Sequence, residues 1–208
     1  MNKAIIKTIG KIAYLDCWES MKKFTEARDA TSIDEFWLVE HDPVFTLGLA
    51  GKEEHILFKD HTIPILKTDR GGQVTYHGPG QIIIYLLIDL KRLNISIREL
   101  VTRIENSVIE YLAAYSIIAE GDRDAPGVYV KGKKIASLGL KIRRGCSYHG
   151  LSFNFAMDKT PFSYINPCGY AGLQVVNQCE LSNKIAPTKF TQAAEELAGY
   201  LNKNIYSS

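Results

Sequence analysis

Three stretches of the chain repeat apolar residues at helical spacing. Trp18, Met21 and Phe24 form an apolar stripe with polar residues between them, which predicts an amphipathic helix. Ser96 and Glu99 form a capping-box pair, and an apolar stripe at the same spacing follows them. The spacing therefore predicts helices over residues 16–30, from Ser96 to about Tyr115, and from Phe190 to Leu201.

Short apolar runs and alternating patterns predict strands between these helices. Leu151, Phe153 and Phe155 alternate with polar residues, as in a half-buried strand, and Lys131-Gly132-Lys133 predicts a hairpin turn. The strands are predicted at Phe36 to Val39, Ile63 to Leu66, Ile82 to Ile88, Gly127 to Val130, Ile135 to Ile142, Leu151 to Phe155 and Leu173 to Val176. Runs of strands with helices around them predict one α+β domain over residues 1–208, with a mixed or mostly antiparallel sheet flanked by helices.

Composition narrows the class of protein. At 208 residues and 46% hydrophobic, the chain can bury one core without metal or disulfide support. Its longest apolar run, Ile82 to Ile88, is far shorter than the roughly 20 residues of a membrane helix, and no secretory signal is visible. Four widely spaced cysteines have no metal-site spacing. We therefore expect a cytoplasmic protein with reduced thiols, no metal site and no membrane contact.

Charge is distributed unevenly. The net charge of +2 is too small to predict nucleic-acid binding. Six basic residues and no acidic one occur between Lys131 and Arg144. This stretch is either a solvated strand face or a docking patch for an acidic protein.

Cys168 lies in the segment Asn166-Pro167-Cys168-Gly169-Tyr170. Proline and glycine on its two sides predict a turn that presents the thiol and leaves backbone N–H groups free to hold an oxyanion. A buried, inert cysteine is the alternative, because free cysteines are often buried. The remaining thiols are less suggestive: Cys17 and Cys179 are expected to be structural and Cys146 to be an exposed turn residue.

A cysteine nucleophile needs a nearby cation or base, because an ordinary thiol has a pKa near 8.5. Lys134, His77 and His149 are the candidates, and both histidines precede a glycine. Histidine is the usual base, but spacing alone does not choose among the three.

The segment from Arg70 to Gln81 contains four glycines together with arginine, tyrosine and histidine. Glycine lets the backbone approach a ligand closely, so the segment predicts one wall of a binding site, although a purely structural loop is the alternative. It matches neither standard nucleotide-binding loop.

Four segments together resemble the lipoyl(octanoyl) transferases, and they occur in the order found in that family. They are Arg70 to Gln81, Lys134 to Gly139, Arg143 to Asn154, and Ile165 to Gly172. The stretch from His41 to Gly48 adds to the resemblance, which spans most of the chain. A fold like that of the lipoate and biotin ligases is implied.

The resemblance also implies roles for individual residues. Cys168 attacks the acyl thioester, while Lys134 lowers the pKa of that thiol and serves as acid and base, the latter if burial lowers its own pKa. His149 is a supporting candidate, and Gln73 has no particular role beyond its place in the loop. The residues implied to bind the acyl chain are Arg70, Gly71, Gly72, Gln73, Val74, Thr75, Tyr76, His77, Ser137, Leu138, Gly139, Gly150, Leu151 and Ser152.

The implied reaction moves an octanoyl group from acyl carrier protein to a lysine of a lipoyl domain, through a thioester on Cys168 and without a cofactor. The implied acceptors are the lipoyl domains of 2-oxoacid dehydrogenases and the glycine cleavage H protein. The basic stretch would then suit acidic partners.

Three other functions stay open. An ATP-dependent lipoate or biotin ligase shares the implied fold but needs no cysteine, so the turn at Cys168 argues against it. An octanoyl amidotransferase also uses a cysteine and differs mainly in its donor. A non-catalytic acyl-binding protein is the third, and the presence of both Cys168 and Lys134 argues against that one.

Overall fold

The computed structural model describes residues 3–58, 62–122, 124–182, 186 and 189–207. Within these ranges the helices are α1 Tyr14–Ala27, α2 Leu90–Leu93, α3 Ile97–Ala114, α4 Gln178–Leu181 and α5 Phe190–Ile205. The strands are β1 Ile5–Lys11, β2 Glu35–Glu40, β3 Val44–Leu47, β4 Ile65–Lys67, β5 Val74–His77, β6 Gln81–Leu87, β7 Glu120–Gly121, β8 Gly127–Val130, β9 Lys133–Arg143 and β10 Cys146–Asn154.

These strands form two sheets. The larger has seven strands in the order β1-β2-β6-β10-β9-β8-β7, and the smaller has the order β4-β3-β5. In the large sheet β1 is parallel to β2 and the other pairs are antiparallel. The predicted α+β fold with a mixed sheet flanked by helices is confirmed.

The large sheet is covered on both faces. Ile82, Ile84 and Leu86 of β6 join the main core, to which α3 and α5 contribute. Ile83 and Tyr85 point to the opposite face, where they pack in a second cluster with residues of α1. Burial on both faces explains why β6 is an unbroken apolar run, as predicted for a central strand.

The predicted helices have their counterparts in the structure. The Ser96 hydroxyl accepts a hydrogen bond from the Glu99 N–H at 3.1 Å, so the predicted cap begins α3. The first helix covers Tyr14–Ala27 and so begins and ends earlier than predicted. The described helices include none that is both long and apolar enough to cross a membrane.

Several strand predictions differ from the structure. Val74–His77 forms β5 inside the segment that we expected to be a loop. Strand β10 is buried along its whole length and not half-buried, because β6 and β9 flank it and both of its faces are covered. Leu173 to Val176 is not a strand, since only Val175 pairs there, in a single bridge to Lys134. Strand β1 was not predicted, because all its residues are exposed and its apolar pattern is weak.

Candidate active site

A cavity of about 340 Å³ lies between the segment that contains β5 and the strands β9 and β10. This volume falls in the range of small-ligand sites. Every residue implied to bind the acyl chain lines the cavity except Tyr76. Those residues are Arg70, Gly71, Gly72, Gln73, Val74, Thr75, His77, Ser137, Leu138, Gly139, Gly150, Leu151 and Ser152.

Tyr76 faces away from this cavity. Successive residues of a strand point to opposite sides, so Thr75 and His77 face the cavity while Tyr76 enters a separate apolar cluster. Its ring packs 5.4 Å from Phe45 and 5.7 Å from Phe162. Of the residues expected to contact the acyl chain, Tyr76 is thus the one that the structure places outside the cavity lining.

Lys134 and Cys168 meet at the cavity wall. The Lys134 ammonium lies 3.1 Å from Cys168 Sγ and donates a second hydrogen bond to the Pro126 carbonyl at 3.1 Å. Lys134 is only 2% exposed, and its nitrogen lies 5.1 Å from the centre of the Tyr129 ring. The ammonium therefore lies in direct contact with the thiol sulfur.

A β-bulge places the lysine. Val128 pairs with Ala136 and Tyr129 with Lys134, so Ile135 is the extra residue on β9. Ile135 and Ala136 both enter the main core, and Lys134 instead lines the cavity. Bulges are known to redirect side chains in this way.

Gly127 leaves the space that the lysine occupies. Its φ is +151°, and a Cβ at this position would lie 2.6 Å from Lys134 Cε and 3.0 Å from Nζ. Any larger residue would therefore displace the ammonium from the thiol.

Cys168 has a left-handed backbone, with φ 57° and ψ 14°, inside the 3₁₀ turn Pro167–Gly169. Non-glycine residues adopt this conformation rarely, and it is common at functional sites. The Gly169 N–H donates to the Asn166 carbonyl at 2.9 Å and the Tyr170 N–H to the Pro167 carbonyl at 3.1 Å. The expectation of free backbone donors beside the thiol is wrong for these two groups.

The electrostatics of Lys134 differ from the expectation in one respect. Burial alone would lower its pKa, but the charge on Cys168 and the Tyr129 hydroxyl outweigh burial, so the pKa of Lys134 is raised. In the unloaded enzyme Lys134 is consequently an ammonium and not a free base.

The two histidine candidates have other partners. His77 is hydrogen-bonded to Gln81 Oε1 at 2.8 Å and to Thr46 Oγ1 at 3.3 Å, and burial lowers its pKa to about 3. His149 Nε2 lies 2.8 Å from Asp69 Oδ1, and burial lowers the pKa of His149 despite that carboxylate. Both rings are neutral near pH 7. Of the three candidates, Lys134 is the one in hydrogen-bonding contact with the thiol.

Arg70 organises the glycine-rich wall. Its guanidinium donates to Thr46 Oγ1 at 3.0 Å, to the Gly71 carbonyl at 2.9 Å and to the Gln73 carbonyl at 2.7 Å. Arg70 is buried, and these acceptors lie on β3 and on its own loop. The arginine therefore fixes the loop backbone against the small sheet, in addition to lining the cavity.

The remaining thiols are outside the cavity lining. Cys17 is buried, as expected, and burial raises its pKa to about 12. Cys146 is only 8% exposed, so the expectation of an exposed turn residue is wrong. It lies at the start of β10, where its bridge to Asp89 covers it. Cys179 is partly buried in α4.

The basic stretch is not one continuous surface. Lys134 is buried in the cavity wall, and Arg143 forms an ion pair with Glu26 at 2.9 Å. Lys131 and Lys133 line a shallow groove that shares Ala125 and Tyr170 with the cavity.

Sequence reasoning missed several residues that shape the site. Asp69 accepts hydrogen bonds from His149 at 2.8 Å, from Trp18 at 2.9 Å and from Tyr148. The α1 residue Tyr14 lines the cavity. Tyr14 comes from an element distant in sequence from the motifs, and Asp69 directly precedes the first of them, at Arg70.

Known proteins match this chain over nearly its whole length. Residues 13–197 match the family model described as the lipoyl protein ligase A/B catalytic domain. The octanoyltransferase of Chromobacterium violaceum is 53% identical over 204 residues, which cover 98% of this chain and 97% of that protein. The octanoyltransferase of Nitrosomonas europaea is 54% identical over 203 residues, with 98% of each chain covered.

Solved structures with little sequence identity share the fold. A lipoate-protein ligase A bound with ATP superimposes with a TM-score of 0.78 at 13% identity, covering 96% of this chain and 86% of that one. The biotin protein ligase of Aquifex aeolicus superimposes with a TM-score of 0.54 at 11% identity, covering 100% of this chain and 72% of that one.

Proposed function

The chain belongs to the family of lipoyl protein ligase A/B catalytic domains, and from this premise we propose that Cys168 and Lys134 carry out an octanoyl transfer. The protein is an octanoyltransferase, an acyltransferase of protein lipoylation. The observation that carries the mechanism is the distance of 3.1 Å between Lys134 Nζ and Cys168 Sγ.

The first half-reaction loads the cysteine. The Cys168 thiolate attacks the carbonyl carbon of the donor thioester, a new C–S bond forms to Sγ, and the bond to the donor sulfur breaks. Lys134 supplies positive charge beside the developing oxyanion. The leaving thiolate takes up the proton that Lys134 gives or one from solvent. One thioester replaces another, so the step needs no ATP.

The second half-reaction releases the chain to an amine. Loading converts the Cys168 thiolate into a neutral thioester, which removes the main interaction that raises the pKa of Lys134. Burial, which lowers that pKa, then dominates. Lys134 is thereby able to take the proton of the attacking acceptor amine, an amide forms, and the Cys168 thiolate leaves.

The cavity wall suits a saturated chain near the thiol. Leu138 and Leu151 line it with apolar side chains. At Gly139 a Cβ would lie 3.2 Å from the Gly71 carbonyl, so the two segments pack backbone against backbone and leave no side chain at this point of the wall.

Acyl carrier protein is the proposed donor, and lipoyl domains of 2-oxoacid dehydrogenases and the glycine cleavage H protein are the proposed acceptors. Lys131 and Lys133 border the groove that adjoins the cavity, but Glu120 and Asp122 line the same groove, so charge alone does not mark it as the docking surface of an acidic donor. The four free thiols suit a reducing compartment, so the proposed location is the cytoplasm.

An ATP-free transfer assay tests this function against that of a ligase. Octanoyl-carrier protein and a lipoyl domain are incubated with the enzyme and a chelator of divalent cations, and amide formation on the acceptor lysine is measured. Transfer under these conditions is expected. Transfer that occurs only from free octanoate with ATP would identify a ligase.

A further inference from the structure

Residues 124–127 form a short connection that leads into β8 at the cavity wall. Asp124, Ala125 and Pro126 line the cavity, and Gly127 is the first residue of β8. Each of the four has a backbone group that is hydrogen-bonded to a side chain outside the connection. The bonding side chains are, in chain order, Tyr170, Tyr129, Lys134 and Glu105. Side chains therefore place this backbone, and we refer to residues 124–127 as the connecting segment.

The peptide group between Pro126 and Gly127 holds Lys134 in place. Its carbonyl accepts from the Lys134 ammonium at 3.1 Å, and its N–H donates to Glu105 Oε1 at 2.9 Å. The carbonyl and the N–H of a peptide group lie in one plane, so the position of this plane sets where the ammonium finds its acceptor. The same ammonium lies 3.1 Å from Cys168 Sγ. A shift of this peptide group would therefore draw the lysine away from the thiol.

The preceding peptide group is held by Tyr129. Its hydroxyl donates to the Ala125 carbonyl at 2.7 Å, and Tyr129 is only 7% exposed. Because the ring of a proline fixes φ near −65°, only ψ of Pro126 is left to orient the Pro126 carbonyl once the Ala125 carbonyl is in place. The Tyr129 hydroxyl thus acts one peptide group away from the acceptor of the Lys134 ammonium.

Tyr129 also packs against the lysine itself. The two residues lie directly opposite each other in the register of β8 and β9, and Lys134 Nζ is 5.1 Å from the centre of the Tyr129 ring. The ring therefore flanks the ammonium, while the hydroxyl fixes the backbone beside the ammonium's acceptor. Burial raises the pKa of Tyr129, so the hydroxyl keeps its proton and does not act as a second base.

The contact at the other end of the connecting segment is weaker. The Tyr170 hydroxyl donates to the Asp124 carbonyl at 3.3 Å, which is long for a hydroxyl donor, and Tyr170 is 47% exposed. The short, buried bond from Tyr129 is therefore the stronger of the two tyrosine contacts to the segment.

We propose that Tyr129 is a positioning residue of the transfer reaction, whose hydroxyl holds the connecting segment so that the Pro126 carbonyl keeps Lys134 against the thiol. This inference rests on the proposed function and deepens it. Tyr129 acts through Lys134 and forms no bond to the acyl group.

Tyr129→Phe tests the proposal, because it keeps the ring beside the ammonium and removes only the hydroxyl. Single-turnover loading of Cys168 is followed by intact mass over a range of octanoyl-carrier protein concentrations. We expect the saturating rate constant to fall about five- to tenfold, the equivalent of one hydrogen bond, with the half-saturating donor concentration unchanged. A fraction of unfolded enzyme would lower the amplitude of loading and not its rate constant.

Tyr111→Phe is the matched control. The Tyr111 hydroxyl also makes one buried hydrogen bond, to Gln178 Oε1 at 3.0 Å, but it belongs to the main core. Its removal should leave the saturating rate constant within about twofold of wild type.

A double-mutant comparison shows whether Tyr129 acts through Lys134. Both backgrounds are measured at one alkaline pH, where Lys134→Met should recover enough activity. Without the ammonium, Tyr129→Phe should change the rate constant by less than about twofold.

Three results would overturn the positioning role while leaving octanoyl transfer intact. They are an unchanged saturating rate constant in Tyr129→Phe, a fall of equal size in the Lys134→Met background or in Tyr111→Phe, and an effect confined to the half-saturating donor concentration. Failure of the wild-type enzyme to load Cys168 would instead overturn the proposed function, and the role of Tyr129 with it.

Discussion

The Lys134 ammonium and the Cys168 thiol are 3.1 Å apart although 34 residues separate them in the chain. The lysine comes from a bulged strand and the cysteine from a 3₁₀ turn. Their contact depends on the Lys134 backbone, whose N–H donates to the Gln174 carbonyl at 2.9 Å and whose carbonyl accepts from the Val176 N–H at 3.1 Å. The segment that follows the cysteine is thereby held against the strand that carries the lysine.

Replacing Lys134 with methionine should slow loading of Cys168 at neutral pH. The ammonium in contact with Cys168 Sγ would no longer stabilise the charge that develops during attack, so its loss should cost about a hundredfold. Activity should be partly recovered at alkaline pH, where ordinary thiols ionise. Lys203→Met, on an exposed position of α5, is the control. A neutral-pH rate equal to wild type would assign the role to another group.

Replacing Gly127 with alanine should reduce loading about tenfold or more, because the new Cβ would collide with the Lys134 ammonium. Gly132 in the same hairpin is the matched control. It has φ +73° and no atom within 4 Å of an added Cβ, so Gly132→Ala should cost about 1 kcal/mol of backbone strain and little activity. Loading rates and thermal unfolding of both variants check this. Equal rates in the two variants would contradict the positioning of Lys134 by Gly127.

Asp69 should contribute to stability in a pH-dependent way. Burial would raise its pKa, but hydrogen bonds from His149, Tyr148 and Trp18 outweigh burial and hold the pKa well below its usual value. A depressed folded-state pKa adds stability that is full above the unfolded value of about 3.9 and is lost as the pH falls through the folded value.

Asp69→Asn should therefore lower the free energy of unfolding by about 1–2 kcal/mol at neutral pH, and the difference should shrink below about pH 4. Denaturant unfolding across this range measures it. Asp42→Asn is the control, because Asp42 pairs with Lys11 at 2.6 Å on the surface, where an ion pair contributes little. A deficit in Asp69→Asn that persists undiminished at acid pH would rule out the carboxylate as its cause.

Much of the fold follows from apolar periodicity. The long helix α3 begins at Ser96 as its capping pattern predicts, and β6 is an apolar run because both of its faces are covered. Strand β1 escapes prediction since its stability comes from parallel pairing with β2, which no local pattern encodes. The short strand β5 is also not predictable from local sequence, because it pairs with β3, about thirty residues away in the chain.

The site was less predictable than the fold. Residue type alone favoured a histidine as the partner of Cys168, and the choice of Lys134 came from family resemblance. The position of Lys134 depends on its burial and on the bulge, and both arise from contacts between β8 and β9. Residue spacing alone therefore could not predict that position. Tyr76 shows a different limit of motif-based prediction. It belongs to a contiguous motif, but the alternation of side chains along β5 turns it away from the cavity.

The central claim is that Cys168 carries the acyl group. The most direct measurement is the intact mass of the enzyme after incubation with octanoyl-carrier protein alone, followed by peptide mapping. One octanoyl mass on Cys168, removable by hydroxylamine and transferred when a lipoyl domain is added, is the predicted result, and Cys168→Ala should neither load nor transfer. An unmodified Cys168, with transfer continuing in Cys168→Ala, would contradict the mechanism.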